Sequence, residues 1–379
     1  MDRKVGFVIM GGGLADVIAC SSSICSIENG VLRYRGYTIE DIAANATFEE
    51  VIYLLWYGRL PNRIELKALK QDLFENAALP KKIFDLLHLY APWGNAMAKL
   101  RTCISFLTHF DDEVMDHSFA ADHRKATRVM ARMATIVAAI DRMRNNKTPI
   151  DPSSIRPDSL AEMFLWLLNG EKPNAIAVNA LDKCLILHAE HELNASTFAA
   201  RVTVSTMSDI YSGLVSAIGT LKGPLHGNAN EQVARMLEEI GDISRVESYI
   251  NAKIEKKEKI MGFGHRVYKD GDPRAKYLQQ LSKDLADWRD DPRWYNISVK
   301  IEKMVTERIN IKPNVDFYSA SIYTYLGIPR DLFTLIFAIS RTSGWLAHIL
   351  EQHEDNKLIR PRAKYTGKLS EEWAPIEER

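Results

Sequence analysis

The 379-residue sequence lacks several patterns that mark specialised classes of protein. It has only four cysteines, which form no Cys-x-x-Cys pair, and this argues against a disulfide framework or a cysteine-ligated zinc site. It has no excess charge of either sign, because 49 basic residues balance 49 acidic ones. The chain as a whole therefore has no attraction to nucleic acid or anionic membranes, and affinity for an anionic ligand must come from local basic groups.

Long hydrophobic runs are also missing. No segment approaches the roughly 18 uninterrupted apolar residues of a membrane span. Near the N-terminus, Arg3 and Lys4 precede an apolar stretch, and residues 17–20 resemble a lipoprotein cleavage site. However, the glycines at 11–13 and the acidic Asp16 interrupt the apolar region that an export signal requires. We therefore expect a cytoplasmic protein that does not bind a membrane.

Sequence periodicity predicts an all-α protein with a short N-terminal β-hairpin. Strand-like segments at 22–27 and 31–34 flank Asn29-Gly30, a pair that favours a two-residue hairpin turn. The hydrophobic period is close to 3.6 almost everywhere else, which is typical of helices packed on a core. Capping boxes predict two helix starts, at Thr47 with Glu50 and at Asn62 with Glu65. Periodicity predicts the later helices: two within 175–221 that meet near 192–196, and one each over 230–240, from 313 to near 327, and over 332–353.

Residues able to do chemistry are concentrated at the breaks between these helices, starting with a histidine pair. His188 and His191 are three residues apart and share a helical face. The usual zinc-protease motif is His-Glu-x-x-His, which differs from this pattern, and a metal would need a third ligand. His188 follows apolar residues and is expected in the core, whereas His191 is expected to face a ligand. A metal-dependent hydrolase that uses His188, His191 and Glu192 remains an alternative.

Two more histidines lie next to glycines. The segment Gly-Pro-Leu-His-Gly at 223–227 predicts a sharp turn that presents His226 just before a helix. Free N–H groups at a helix start disfavour an imidazolium, so His226 is expected to be neutral. The segment Gly-Phe-Gly-His at 262–265 places His265 in a loop with several cations, which suits an anionic carbonyl compound. Each motif by itself is also compatible with an ordinary turn or a solvated loop.

A carboxylate and an arginine complete the set. Asp316 follows Pro-Asn-Val at a helix start, where a lone Asp is ordinarily an N-cap and where its pKa should be lowered. Desolvation would have to offset that effect if Asp316 acts as a base. Arg341 lies among apolar residues of a C-terminal helix, so it needs a partner or a ligand.

Taken together, these motifs resemble the citrate synthase family. The segments that carry the resemblance come in the family's order, within residues 13–367, and they are His188-Ala-Glu-His-Glu-Leu-Asn-Ala-Ser196, Gly223-Pro-Leu-His-Gly227, Gly262-Phe-Gly-His265, Asp272-Pro-Arg274, Pro313-Asn-Val-Asp316 and Ser340-Arg341. The first dozen residues lie outside the resemblance. It implies two helical domains, a large one of residues 1–227 and 328–379 and a small one of residues 228–327, which close on the substrates.

The resemblance also implies the reaction and its residues. Acetyl-CoA is joined to oxaloacetate, and the citryl-CoA formed is hydrolysed to citrate and coenzyme A, with no metal or other cofactor. Asp316 would remove a proton from acetyl-CoA, His226 would stabilise the enolate, and His265 would polarise the oxaloacetate ketone. Oxaloacetate would be held by His191, Arg274 and Arg341, and by Arg360 from the second subunit of a homodimer. Coenzyme A would be held by Lys256, Lys257 and Lys269.

Two other functions remain open beside the hydrolase. A 2-methylcitrate synthase would use propionyl-CoA, and one extra methylene is discriminated by only about 1–3 kcal/mol. A non-catalytic ligand-binding relative is the other, although a protein that only binds has no need of Asp316, His226 and His265 together.

Overall fold

The N-terminal hairpin is the first well-defined element of the computed structural model, which describes residue 14 and residues 17–90, 94–265, 267–268 and 270–379. Strands β1 (Cys25–Glu28) and β2 (Val31–Tyr34) pair antiparallel. Asn29 and Gly30 have φ angles of 53° and 77°, and positive φ at both positions is what the tightest hairpin turn requires. The predicted hairpin is therefore confirmed. Most of the N-terminal stretch considered as an export signal lies outside the described residues.

A third strand was not predicted. Strand β3 (Tyr37–Thr38) pairs with β2 across a second two-residue turn, in which Arg35 and Gly36 have φ angles of 49° and 91°. Gly36 is a turn signal, but the Arg35 before it rarely adopts positive φ, and so the pair does not stand out as a hairpin turn in the way that Asn29-Gly30 does.

Sixteen α-helices make up most of the described chain. Their bounds are α1 Ile39–Asn45, α2 Phe48–Tyr57, α3 Arg63–Glu75, α4 Lys81–Tyr90, α5 Ala96–Leu107, α6 Phe119–Arg144, α7 Leu160–Asn169, α8 Ala175–His188, α9 Ala195–Val204, α10 Ile210–Leu221, α11 Ala229–Ile240, α12 Val246–Glu255, α13 Ala275–Arg289, α14 Arg293–Ile309, α15 Val315–Tyr325 and α16 Phe333–Glu354. Both predicted capping boxes are present, at the starts of α2 and α3. The all-α prediction is confirmed.

The prediction of two helices within 175–221 was wrong, because this segment contains three. Helix α9 ends at Val204, Met207 adopts a φ of 62°, and α10 starts after Asp209. The Asp209 carboxylate caps α10 by accepting a hydrogen bond of 2.9 Å from the Ser212 N–H. Asp209 lies inside a run of residues whose apolar period continues across the break. A prediction from periodicity alone therefore missed this N-cap.

Helix α16 is the central element of the core. It packs against α2, α6, α8, α9 and α10, and most of its residues are buried. Among the described residues, the stretch Arg330–Glu354 has the length and hydropathy of a membrane span, yet its apolar window is wholly buried inside the protein. Helices α11 to α15 pack mainly on one another, while α13 and α15 also contact α8 and α11 also contacts α16.

Two buried carboxylates make stability depend on pH. Asp182 and Glu49 are 8% and 0% exposed, and burial together with the charge of Glu49 raises the pKa of Asp182 to about 7. Below that pH the folded chain holds a proton that an unfolded Asp would release, so stability falls as pH rises from about 4 to about 7. We expect Asp182→Asn to melt at a higher temperature than the wild type at pH 8, with a smaller difference at pH 5.

Thermal melts of both proteins across this pH range test the prediction. The asparagine oxygen can still accept the hydrogen bond that Asp182 Oδ1 accepts from the Phe48 N–H at 3.1 Å. Asp85→Asn is the control, because Asp85 is exposed on α4. Parallel melting curves for Asp182→Asn and the wild type would contradict the assignment.

Candidate active site

Five chain segments bring the predicted site residues together. His191 follows α8, His226 lies in the turn before α11, and His265 lies in the loop before α13. Asp316 is in the first turn of α15, and Arg341 lies in the middle of the buried helix α16. The charge of Arg341 adds to the burial that lowers the pKa values of His191 and His226, and it opposes the burial that raises the pKa of Asp316. These three groups therefore lie within electrostatic range of one guanidinium.

His226 is oriented by a serine. The Ser196 N–H, in the first turn of α9, donates to His226 Nε2 at 3.3 Å, and Ser196 Oγ lies 2.8 Å from the same nitrogen. A backbone N–H can only donate, so Nε2 carries a lone pair and Nδ1 carries the proton. Burial, with a smaller effect from Arg341, lowers the pKa of His226 to about 4. The predicted neutral imidazole is present, although burial is its main cause.

His265 is oriented by the backbone. The N–H groups of Val267 and Tyr268 both donate to His265 Nδ1, at 3.0 and 3.2 Å. Because Nδ1 accepts, the proton of the neutral ring is on Nε2. Burial, reinforced by the nearby Arg274, lowers the pKa of His265. The ring therefore offers one N–H donor, as the ring of His226 does.

The loop of His265 is joined to the segment that leads into α15. Gly264 N–H donates to Lys312 O, and Asn314 donates from its backbone to Gly262 O and from its side chain to Gly264 O, each at 2.9 Å. Gly262 has a φ of 81°, and a Cβ there would lie 2.7 Å from the Val233 side chain. Only glycine fits this contact.

Asp316 is not the helix cap. Asn314 has that role, because its side-chain oxygen accepts the Asp316 N–H at 3.0 Å. The Asp316 carboxylate accepts no hydrogen bond from any described residue. Burial raises its pKa to about 6, even though Arg274 and Arg341 act in the opposite direction. The expected lowering at a helix start was therefore wrong in sign, because desolvation outweighs the helix dipole and the two cations.

Arg274 is held in place by a carboxylate. Its Nε and Nη2 donate to the two oxygens of Asp272 at 2.9 and 2.8 Å, and its Nη1 donates to Leu187 O at 3.3 Å. These bonds use three of its five N–H groups, so two remain for a ligand. Asp272 also accepts the Val315 N–H at 3.0 Å, which ties Arg274 to the start of α15.

Arg341 is a buried cation that forms no ion pair with any described residue, although the charge of Glu190 acts on it. It is 2% exposed, its Nε donates to His188 O at 2.8 Å, and its guanidinium lies over the Phe337 ring. Its Nη groups have no hydrogen-bond or ion-pair partner among the described residues. An unpaired buried charge is costly, so this geometry favours an anionic ligand.

The two histidines of the first motif have separate places, as predicted. His188 is fully buried, and its Nδ1 lies 2.8 Å from Cys184 O. His191 Nε2 lies 3.1 Å from the Tyr268 hydroxyl, and its ring centre is 5.1 Å from that of His265. No third metal-binding side chain joins them within the described part of the chain, and Glu192 is exposed. This arrangement gives the hydrolase alternative no support.

Three of the predicted residues are not brought to this site within the single chain. Lys256 and Lys257 are exposed at the end of α12, and Arg360 is exposed in the C-terminal tail. Lys269 lies outside the described residues. The lysine that does affect the site is Lys259, whose charge contributes to lowering the pKa of Asp316 and which the sequence analysis did not single out.

The sequence analysis also missed four supporting residues. Asp272 binds Arg274, and Tyr268 contacts His191. Ser196 contacts His226, and Trp345 Nε1 donates to Ser196 Oγ at 3.0 Å. Ser196 and Asp272 lie inside the motifs and could have been noticed there. Trp345 gave no signal, because its pattern is that of an apolar core residue.

Removing the Ser196 hydroxyl should lower turnover without weakening the binding of the anionic substrate. Ser196→Ala keeps the backbone N–H but removes Oγ from both His226 and Trp345. One lost hydrogen bond of about 0.5–1.5 kcal/mol predicts a decrease of about 2- to 12-fold in kcat. Steady-state kinetics test this, with Ser196→Thr as the partial rescue and Ser298→Ala, a buried serine on α14, as the control. An unchanged kcat would contradict the positioning role.

Comparison with known proteins places these features in one family. The profile described as "Citrate synthase, C-terminal domain" matches residues 13–362. The chain is 55% identical over 369 residues to citrate synthase 2 of Bacillus subtilis (strain 168), covering 97% of this chain and 98% of the relative. It is 39% identical over 373 residues to the 2-methylcitrate synthase of Shewanella oneidensis (strain MR-1), covering 98% of both chains.

A solved structure gives the same result. The ternary complex of carboxymethyl coenzyme A and oxaloacetate with citrate synthase from Thermoplasma acidophilum superimposes with a TM-score of 0.89 at 35% identity. The match covers 96% of this chain and 98% of that one. In sequence and in fold, this chain belongs to the citrate synthase family.

Proposed function

We propose that this protein condenses acetyl-CoA with oxaloacetate and hydrolyses the resulting citryl-CoA to citrate and coenzyme A. One observation carries the proposal: two neutral imidazoles, each with a single N–H donor set by its neighbours, and a carboxylate that accepts no hydrogen bond from the described residues all lie within electrostatic range of Arg274 or Arg341. A carbon–carbon condensation through an enolate needs this set, namely one base and two electrophilic donors.

Oxaloacetate is assigned to the cationic part of the site. Arg274 has two N–H groups to offer, and the Nη groups of Arg341 have no partner among the described residues, which suits the two carboxylates of the substrate. His191 lies beside His265 and contributes a third polar contact. The Nε2–H of His265 is then the donor for the ketone oxygen, because its Nδ1 is occupied by backbone N–H groups.

The reaction follows from these assignments. The Asp316 carboxylate takes a proton from the methyl carbon of acetyl-CoA, while the Nδ1–H of His226 stabilises the charge on the thioester oxygen. The enol carbon attacks the ketone carbon, a carbon–carbon bond forms, and the ketone oxygen takes a proton from His265. Water then cleaves the thioester of citryl-CoA, and the coenzyme A thiol leaves. This scheme needs no metal and no other cofactor.

The assembly is also part of the proposal. The C-terminal tail is exposed and carries apolar side chains, with Leu369 94% and Trp373 84% exposed, which suits a segment that packs on a second subunit. We assign Arg360 to the partner's site in a homodimer. A sedimentation experiment that gave only monomers would contradict this assignment. Coenzyme A phosphates are assigned to Lys256, Lys257 and Lys269, and the location to the cytoplasm.

The two-domain division, residues 1–227 with 328–379 and residues 228–327, supports closure around the substrates. His265, Arg274 and Asp316 belong to the small domain, whereas His191, Arg341 and Ser196 belong to the large one. The contacts of His191 with Tyr268 and of Arg274 with Leu187 O cross this boundary. Small-angle scattering with and without oxaloacetate tests closure, and identical radii of gyration would contradict it.

A second candidate is 2-methylcitrate synthesis from propionyl-CoA, which the relative from Shewanella oneidensis favours. The residues that act on oxaloacetate and on the thioester would be the same, and the two acyl groups differ by one methylene, worth about 1–3 kcal/mol. We therefore expect some activity with both thioesters.

One assay tests both candidates. Purified protein is mixed with oxaloacetate, and free thiol release is followed with acetyl-CoA and, separately, with propionyl-CoA. A higher kcat/KM for acetyl-CoA supports the proposal, and a higher value for propionyl-CoA supports the second candidate. No thiol release with either thioester would overturn the mechanism. Chelator should leave the rate unchanged, and a chelator-sensitive rate would revive the hydrolase alternative.

A further inference from the structure

A second cluster of histidines lies in a cavity that shares no residue with the proposed active site. The cavity has a volume of about 110 Å³ and lies between the start of α6 and the end of α16. Its polar lining includes His117, Asp122, His123, Glu351, His353 and Glu354. None of these residues has a role in the proposed reaction, so their arrangement needs its own explanation.

The imidazoles of this cavity have buried nitrogens without partners. Both ring nitrogens of His117, and Nε2 of His123 and of His353, are buried and form no hydrogen bond with any described residue, although the backbone of Met207 lies near His117. The His353 side chain is only 2% exposed. More than nine in ten buried polar groups in proteins are satisfied, so unpartnered nitrogens in one cavity indicate a missing ligand.

The spacing and chemistry of three of these residues fit a metal ion. One ligand atom each from His117, Asp122 and His353 lies within 4.8 Å of the other two. Tetrahedral bonds of about 2.0–2.2 Å to a shared ion place ligand atoms about 3.3–3.6 Å apart, so the side chains would have to draw together by up to about 1.5 Å. We propose that His117, Asp122 and His353 bind one first-row divalent cation, such as Zn²⁺, as a two-histidine, one-carboxylate site.

The carboxylates around the cavity are not equally available to a cation. Asp122, Glu351 and Glu354 line it together with the guanidinium of Arg35, but Glu351 is already paired with Arg201 at 2.6 Å, which leaves Asp122 as the carboxylate beside the two imidazoles. Lys125 approaches the other side of Asp122, with Nζ 2.8 Å from Oδ1, so Oδ2 is the oxygen that faces His353.

Metal binding would replace a hydrogen bond. His353 Nδ1 lies 2.7 Å from Asp122 Oδ2, and the proton between them must leave if both atoms bind the ion. The ion would then join two parts of the chain that are 231 residues apart, the start of α6 and the end of α16. We therefore assign the metal a structural role, in which it raises the melting temperature without entering the reaction.

The test uses tag-free full-length protein freed of metal by chelator and dialysis. Calorimetric titration with Zn²⁺ should give one ion per chain, with release of protons that depends on the buffer. Co²⁺ should give the visible absorption of a protein-bound, low-symmetry ion. Zn²⁺ should raise the melting temperature and leave kcat unchanged.

Variants distinguish this site from accidental binding. His117→Ala removes a side chain whose ring nitrogens form no hydrogen bond with a described residue, so it is expected to fold. Its Zn²⁺ affinity should be at least about 10- to 100-fold weaker. His353→Gln should weaken binding similarly, and a melt in chelator checks that both variants are folded. His88→Ala, an exposed histidine on α4, is the control and should bind as the wild type does.

The proposal is overturned if the wild type binds no Zn²⁺, or if both variants bind it as tightly as the wild type. Because the readouts are stoichiometry, spectrum and melting temperature, these outcomes are independent of the thiol-release assay. Failure of the metal site and failure of the proposed reaction are therefore separate results.

Discussion

Asp316→Asn should lower kcat by about 10²- to 10⁴-fold, the usual contribution of a positioned general base. The carboxylate accepts no hydrogen bond from the described residues, so the substitution should mainly remove the base that we propose takes a proton from carbon. Oxaloacetate binding should change little, because Arg274 and Arg341 remain. Steady-state kinetics and calorimetric binding of oxaloacetate measure the two effects separately.

We expect Asp316→Asn to be at least as stable as the wild type, even though it loses activity. Burial raises the pKa of Asp316 to about 6, so the folded protein is less stable with this group charged. Above that pH, neutral asparagine should melt no lower than the wild type, even though activity is lost. Glu247→Gln, at the exposed first turn of α12, is the control and should keep full activity. A loss of activity that only follows unfolding would contradict the catalytic role.

The same pKa predicts the acid limb of the wild-type pH profile. A base must be deprotonated to act, so kcat/KM should rise with pH up to about 6 and level off above it. A profile with no change between about pH 5 and about pH 7 would argue against Asp316 as the base.

His226→Ala should lower kcat by about 10²- to 10³-fold, the usual effect of removing one preorganised donor to a developing oxyanion. The reason is that Nδ1–H is the donor of this ring, since Nε2 accepts from the Ser196 N–H. His226→Gln can place an amide N–H nearby and should recover part of the rate. The same rate measurements with both thioesters test this.

Oxaloacetate binding should distinguish the role of His226 from that of His265. It should be nearly normal in His226→Ala but weakened in His265→Ala, because only His265 is assigned to the ketone oxygen. His109→Ala, an exposed histidine after α5, is the control. If His226→Ala lost oxaloacetate affinity as strongly as His265→Ala, the division of roles between the two rings would be wrong.

Local signals in the sequence predicted local structure well. The Asn29-Gly30 turn and the capping boxes at Thr47 and Asn62 involve residues within a few positions of each other, so the printed sequence contains the whole interaction. The break between α9 and α10 is local too, but its Asp209 cap lies inside an apolar run, where periodicity predicted continuous helix.

Tertiary effects could not be predicted in this way. The contact between Trp345 and Ser196 joins residues 149 positions apart, and nothing near either residue indicates it. The sign of the Asp316 pKa shift depends on how much protein covers the carboxylate, while the sequence showed only the helix start. The motifs predicted which histidines, arginines and carboxylate lie in the site, whereas their protonation states depend on burial, which only the fold determines.

The pairing of the Gly262–His265 loop with the Lys312–Asn314 segment has a consequence for motion. Three hydrogen bonds and the close packing of Gly262 join the two segments, which carry His265 and Asp316. If the proposed domains open and close, this pairing should move both groups together as one body. The proposed proton acceptor and proton donor would then keep their spacing while their distance from the substrates changes.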